Sequence, residues 1–334
     1  MRNCLLATTM NRRSLSRAWV LHTRVQHRHA DPALNSTALR VKASKCLVLA
    51  SVLVCAAVVC AGGGWTGASA QDTVRFAVIG DYGFAGEPEA NVADLVISWA
   101  PDLIITTGDN NYEFGEASTI DINIGQFYHE YISPYVGSFG AGSPSGNRFF
   151  PSLGNHDWES PNAQPYLDYF ALPGNERYYT FTSGPVQFFV IDSDPREPDG
   201  VTSDSVQAQW LRDALQASTA PWKLVYFHHP PYSSGAVHGS QTYMQWPFQA
   251  WGASAVLTGH DHTYERVIID NFPYFVVGLG GRSIYEFGAP IPGSEVRYNE
   301  DFGAMRVDAD ASAMTFSFYS RVGALVDSYT LLAD

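Results

Sequence analysis

Five times between Val74 and His262, a short apolar run breaks off into a cluster of glycine, carboxylate, amide or imidazole residues. Val74–Ile79 leads into Gly80-Asp81-Tyr82-Gly83, Leu103–Thr107 into Gly108-Asp109-Asn110-Asn111-Tyr112, and Arg148–Leu153 into Gly154-Asn155-His156-Asp157. Trp222–Phe227 leads into His228-His229-Pro230, and Ser254–Thr258 into Gly259-His260-Asp261-His262. Apolar runs of five or six residues, bounded by turn formers, predict buried strands. In open α/β sheets, ligands bind just beyond the carboxyl ends of strands. Five polar strand ends therefore predict one shared rim, and the fold has to bring them together.

The remaining elements fit that picture. Glu89–Trp99 carries Val92, Leu95, Val96 and Trp99 at helical spacing, and Pro101 follows it. Asp204–Ala217 predicts a helix with Val206, Trp210, Leu211 and Leu215 on its apolar side. Val186–Ile191 is a further strand. After His262 the pattern is strand upon strand, over Glu265–Asp270, Pro273–Gly278, Ala304–Asp308, Met314–Tyr319 and Ala324–Leu331. Early βα units and late consecutive strands predict an α/β fold, a mixed sheet sandwich flanked by helices. No linker, repeat or composition break interrupts residues 71–334, which are expected to form a single domain.

Charge divides the chain. Nine of its 20 Lys and Arg lie in residues 1–70 beside one acid, Asp31; residues 71–334 hold 11 bases and 32 acids, a formal charge of −21. So acidic a body repels phosphate backbones and anionic membrane surfaces, which excludes nucleic acid as a partner. A surface made acidic for solubility accounts for the same numbers. Lys42 and Lys45 precede an apolar run, 46–61, and then small residues ending in Ala68-Ser69-Ala70. That order is the pattern of a secretory signal. At 16 residues the run is shorter than the roughly 18 of a spanning helix. Residues 1–70 are thus expected to be an N-terminal extension and signal peptide, cut after Ala70, giving a secreted or periplasmic protein without stable membrane association. A retained anchor is the alternative. The long Arg-rich stretch 1–40 is accounted for either by a translation start at Val41 or by an organelle-type presequence. All four cysteines (Cys4, Cys46, Cys55, Cys60) precede the expected cut, so no disulfide is expected in the mature fold.

Asp81, Asp109, Asn155, His228, His260 and His262 are hard or borderline donors suited to first-row transition metals. Two-metal hydrolases hold their cations about 3.5–4 Å apart, and a bridging carboxylate does this. Seven histidines follow residue 70, and five of them (His156, His228, His229, His260, His262) fall inside the motifs. A lone buried histidine is most often a satisfied core residue. Clustering beside Asp and Asn at strand ends points to ligands instead.

Taken together, the five motifs resemble those of the calcineurin-like metallophosphoesterases, and within them the purple acid phosphatases, above all the small single-domain tartrate-resistant branch. The similarity runs over about residues 74–332. Gly83 stands where other metallophosphoesterases place a metal-binding histidine. Tyr112 stands three residues after Asp109, where purple acid phosphatases keep an iron-bound tyrosinate. Gly259-His260-Asp261-His262-Thr263-Tyr264-Glu265-Arg266 is similar to the family's last motif.

The resemblance implies a four-layer αββα sandwich of two mixed sheets flanked by helices. It implies a binuclear metal centre, with Fe(III) held by Asp81, Tyr112 and His262 and Asp109 bridging. A divalent ion (Fe, Zn or Mn) would be held by Asp109, Asn155, His228 and His260. A free phenol ionises near pH 10, so tyrosinate in acid needs an ion as Lewis-acidic as Fe(III); a packing aromatic is the other reading of Tyr112. The implied activity is an exported acid phosphatase that hydrolyses small phosphomonoesters by attack of a metal-activated hydroxide. His156 is the implied proton donor to the leaving group, and His238, ten residues after His228, resembles a second substrate-facing histidine. Asp157 either orients His156 or serves the turn. His229 is read as standing behind the ligands, and Tyr232, Arg266 and Arg282 either line the pocket or are structural. A metal-dependent phosphodiesterase, an iron site doing redox work and a non-catalytic metal- or phosphate-binding protein are the rival readings.

Overall fold

The computed structural model describes residues 73–333; the expected signal segment and its apolar run lie outside them. Among the described residues thirteen strands form: β1 (Thr73–Ile79), β2 (Leu103–Thr106), β3 (Phe149–Pro151), β4 (Tyr179–Ser183), β5 (Val186–Val190), β6 (Trp222–Tyr226), β7 (Ala255–Thr258), β8 (Tyr264–Ile269), β9 (Phe272–Val277), β10 (Ser294–Tyr298), β11 (Gly303–Asp310), β12 (Ala313–Ser320) and β13 (Leu325–Leu332). They make two sheets, in the orders β13-β12-β11-β1-β2-β3 and β10-β8-β9-β7-β6-β5-β4. Both are mixed. In the first, β1, β2 and β3 run parallel while β11, β12 and β13 alternate. In the second, β5, β6, β7 and β9 are parallel, β4 and β8 lie antiparallel beside them, and β10 pairs antiparallel with β8. Parallel strands covered on both faces read as unbroken apolar runs, and β2 and β7 are buried at every residue.

An aromatic layer joins the sheets. Phe76 of β1 meets Phe188 of β5 edge-on at 5.0 Å, and Phe150 of β3 stacks on Phe181 of β4 at 3.8 Å. Phe275 of β9 and Tyr264 of β8 stack on Phe316 and Phe318 of β12 at 4.7 and 4.1 Å. Such pairs add about 0.5–1.5 kcal/mol each beyond their buried area. On the outside, helix Glu87–Ser98 buries Val92, Ala93 and Val96 in the same core as β1 and β11. Helix Val206–Ala217 buries Ala208, Leu211 and Leu215 with Phe189, Val225 and Phe227 on the far side of the second sheet. The layers are therefore helix, sheet, sheet, helix, as expected.

The expected strands form within a few residues of their sequence bounds. The second helix begins at Val206 rather than Asp204, because the Ser205 hydroxyl accepts the Ala208 N–H at 3.2 Å and starts it. β4 and β10 were not expected. Both are half-exposed edge strands whose side chains lack a clear apolar face. Among the described residues no helix is long and apolar enough to cross a membrane.

Phe188 is fully buried between Phe76 and Phe181, stacking on the latter at 4.6 Å. Phe188→Ala is expected to cost about 3–5 kcal/mol of stability, read as a lowered denaturant midpoint with an unchanged m-value.

Candidate metal centre

The parallel strands of both sheets end at one rim. Asp81 follows β1, Asp109 and Tyr112 follow β2, and Asn155 follows β3, all in the first sheet. His228 follows β6, and His260 and His262 follow β7, in the second. The turns are tied within each sheet, where Asp81 N–H donates to Gly108 O at 3.1 Å and Gly259 N–H to His228 O at 2.9 Å, and across the seam, where His260 N–H donates to Asp81 Oδ2 at 2.9 Å. Asp81, Asp109 and His260 have φ of 55°, 52° and 71°. Left-handed backbone is uncommon away from glycine and concentrates at functional sites. Gly154 lies so close to Asp109 that an added Cβ would sit 2.3 Å from Oδ1.

The side chains fall into two donor groups that share Asp109. In one, the Tyr112 hydroxyl lies 3.3 Å from Asp81 Oδ1, 2.9 Å from Asp109 Oδ2 and 3.2 Å from His262 Nε2. One donor atom each from Asp81, Asp109 and His262 lies within 4.8 Å of the others. In the other, His228 Nε2 lies 3.3 Å from Asp109 Oδ2, 3.0 Å from Asn155 Oδ1 and 3.1 Å from His260 Nδ1. The other ring nitrogens of His228 and His262 are engaged behind the site. His228 Nδ1 donates to Thr107 O at 2.8 Å, and His262 Nδ1 bonds Ser283 Oγ at 2.6 Å. Anchors of this kind aim the other ring nitrogen at a metal.

The protein's own charges leave this cluster unbalanced. Burial raises the Tyr112 phenol far above its ordinary pKa, and the charges of Asp109 and Asp81 raise it further. Burial draws His228 down, but the charge of Asp109 outweighs it and pushes the imidazole up to about 10. Burial, then the charge of His228, holds His260 and His229 well below the usual range. The His228 imidazolium thus stands beside the buried Asp109 carboxylate, close to a phenol held neutral. Hard oxygen and imidazole donors converging on such a site fit transition-metal cations.

His156 lies over the first donor group. Its ring packs against Tyr112 at 4.4 Å, Nδ1 donates to Glu113 O at 2.6 Å, and Nε2 stands 4.0 Å from Asp109 Oδ2. His238 is exposed and stacks on His260, ring centroids 3.9 Å apart; partial burial lowers its pKa. Of its two expected roles, Asp157 serves the turn. It is buried and accepts from Asn110 Nδ2 at 2.8 Å, Gly154 N–H at 2.9 Å and Asn110 N–H at 3.2 Å. Burial, then the charge of Asp109, pushes its pKa up to about 7. Asp157 therefore joins the second and third motifs, and the Glu113 carbonyl, not Asp157, orients His156. His229 bonds Ser193 Oγ behind the ligands. Tyr232 packs on Tyr274, and Arg266 pairs with Asp327 and Glu295, both as structural residues. Arg282 instead stands at the rim, paired with Glu113 and 4.3 Å over the Phe84 ring.

Three contributors went unread in the sequence. Ser283 holds His262, Tyr285 stacks on His262 at 4.0 Å, and Arg196 braces the third motif by donating to Asn155 O at 2.9 Å. The first two follow β9, which is parallel to β7 and so ends at the same rim.

Residues 74–264 match the family model of calcineurin-like phosphoesterases, more than half of the chain. The chain belongs to that family. This calcineurin-like phosphoesterase is 27% identical over 243 residues to purple acid phosphatase 15 of Arabidopsis thaliana, covering 62% of this chain and 45% of that one. It is 24% identical over 257 residues to tartrate-resistant acid phosphatase type 5 of Homo sapiens, covering 64% and 74%. A purple acid phosphatase from yellow lupin seeds shares the fold, with a TM-score of 0.63 at 21% identity, covering 78% of this chain and 54% of that one. The phosphoesterase thus spans about half the length of the Arabidopsis and lupin proteins.

Removing the hydroxyl behind His262, in Ser283→Ala, is expected to weaken metal affinity about 10–100-fold, measured by competition with a chelator, with secondary structure unchanged.

Proposed function

We propose that this chain is an exported phosphomonoesterase of the purple acid phosphatase kind with a binuclear metal centre. The observation that carries the reading is the Tyr112 phenol oxygen, within 3.3 Å of Asp81, Asp109 and His262 together. A buried phenol beside two carboxylates has no partner that favours its ionised form unless a strongly Lewis-acidic ion occupies that corner. Asp81, Tyr112 and His262 would hold Fe(III), and Asn155, His228 and His260 a divalent Fe, Zn or Mn, with Asp109 shared. When bound, the pair supplies Lewis acidity toward phosphoryl oxygens and a water nucleophile ionised near neutral pH.

The chain's own residues do the rest. His156 keeps Nδ1–H on the Glu113 carbonyl, so its Nε2 faces the centre. In its protonated form that nitrogen delivers a proton to the departing alkoxide. His238, above His260, meets the substrate from the opposite side. The formal charge of −21 on residues 71–334 favours small phosphorylated substrates over polynucleotides. Export is supported by the basic, apolar and small-residue order of residues 42–70.

Metal analysis, a visible spectrum and rates on 4-nitrophenyl phosphate and bis(4-nitrophenyl) phosphate test the reading. The protein is expected to contain iron, to be violet or pink, and to prefer the monoester. Tyr112→Phe should abolish the colour. A colourless, iron-free protein with full activity would exclude the tyrosinate–iron centre. His156→Ala is expected to lower kcat about 10²–10⁴-fold on alkyl phosphates and least on 4-nitrophenyl phosphate, whose leaving group needs no proton.

A further inference from the structure

The loop 233–239 carries His238 over the centre, yet little apolar packing holds it. Its sequence is Ser-Ser-Gly-Ala-Val-His-Gly, with Ala236, Val237 and His238 exposed. Polar anchors hold it instead. The Asp261 carboxylate, fully buried, accepts the Ser233 hydroxyl at 2.6 Å, the Gly239 N–H at 2.9 Å and the His238 N–H at 3.1 Å. These donors come from both ends of the loop, so one carboxylate closes it. The backbone between them passes against the same group. A Cβ added at Gly235 would lie 2.2–2.5 Å from the Asp261 carboxylate atoms.

A second buried acid anchors the base of the loop. Glu265 accepts the Ser234 N–H at 2.7 Å and the Ser234 hydroxyl at 2.6 Å, along with Ser294 Oγ at 2.6 Å. Glu265 ties the loop to β8, which is paired with β10. Asp261 ties it to the turn that carries His260 and His262.

We propose that Asp261 is a positioning residue for His238: it registers the loop against the ligand-bearing turn and so fixes where that imidazole meets the substrate. The inference rests on the phosphoesterase reading above. The His238 amide, the His260 ring and the Tyr285 ring place the imidazole, and Asp261 controls the first from the residue next to the second. The loop is also paired with the 286–288 segment, through Ala236 N–H to Glu286 O and Gly288 N–H to Ser234 O, both at 2.8 Å, but only the Asp261 clasp ties it to the ligand-bearing turn itself.

The test uses the metal-loaded protein. Asp261→Asn keeps the shape but turns an amide N–H2 toward the loop donors. Ser233→Ala removes one hydroxyl and is the milder variant. Each is made alone and with His238→Ala. On 4-nitrophenyl phosphate, Asp261→Asn is expected to lower kcat/KM about tenfold and Ser233→Ala about threefold, each less than about twofold in the His238→Ala background, with metal content unchanged. Hydrogen exchange at the His238 and Gly239 amides should quicken about tenfold in Asp261→Asn while β6 and β7 keep their protection. Equal losses in both backgrounds, or unchanged exchange at those amides, would overturn the proposal. If the parent protein hydrolyses no phosphate ester, the functional reading fails, and the exchange measurement alone still decides whether Asp261 holds the loop.

Discussion

Two sheets have to meet face to face before this molecule has a site at all. One sheet delivers the carboxylates, the phenol and the amide, Asp81, Asp109, Tyr112 and Asn155; the other delivers the imidazoles of His228, His260 and His262. Neither set is a plausible metal site alone. The aromatic layer of Phe76, Phe188, Phe275 and Phe316 sets how the two rims align, so a non-directional packing force ends up positioning directional donors. Asp109 sits at the join, within 3.3 Å of both Tyr112 and His228.

Holding that join is costly in two ways. Asp81, Asp109 and His260 each keep a left-handed backbone, worth about 1–3 kcal/mol of strain apiece. Each is preceded by a fully paired strand, β1, β2 or β7, whose ladder fixes the chain before it bends. The second cost is electrostatic. Two carboxylates and a phenol are removed from water, and His228 is the cation the protein itself provides next to Asp109. Burial of this kind is favourable only when the charges are matched, which is why the same cluster that strains the fold is suited to cations.

The sequence made the rim legible because each motif is fused to the strand that aims it. Val74–Ile79 and Leu103–Thr107 announce both a buried strand and the residues at its end. The edge strands β4 and β10 were illegible, because half-exposed edges do not need one apolar face. Ser283 and Tyr285 were missed for a different reason: the end of β9 carries no carboxylate or imidazole, and only its parallel pairing with β7 brings it to the rim. Which of its two expected roles Asp157 takes was not legible, because neighbours in a tight turn point apart. It turns inward to Asn110 and Gly154 while His156 turns outward to Glu113.

Between β2 and β3 the chain makes a long excursion built of short helical turns, Asp121–Gly125, Gln126–Tyr128 and His129–Tyr131. It leaves the first sheet just past Tyr112 and returns just before Asn155, members of different donor groups. Asn123 of this excursion donates to the Tyr112 carbonyl and to Asn111 Oδ1, so a substitution there acts on the turn that carries the phenol. Divergence in its length or composition offers a lineage a way to reshape the rim around Tyr112 while every strand of the scaffold stays as it is.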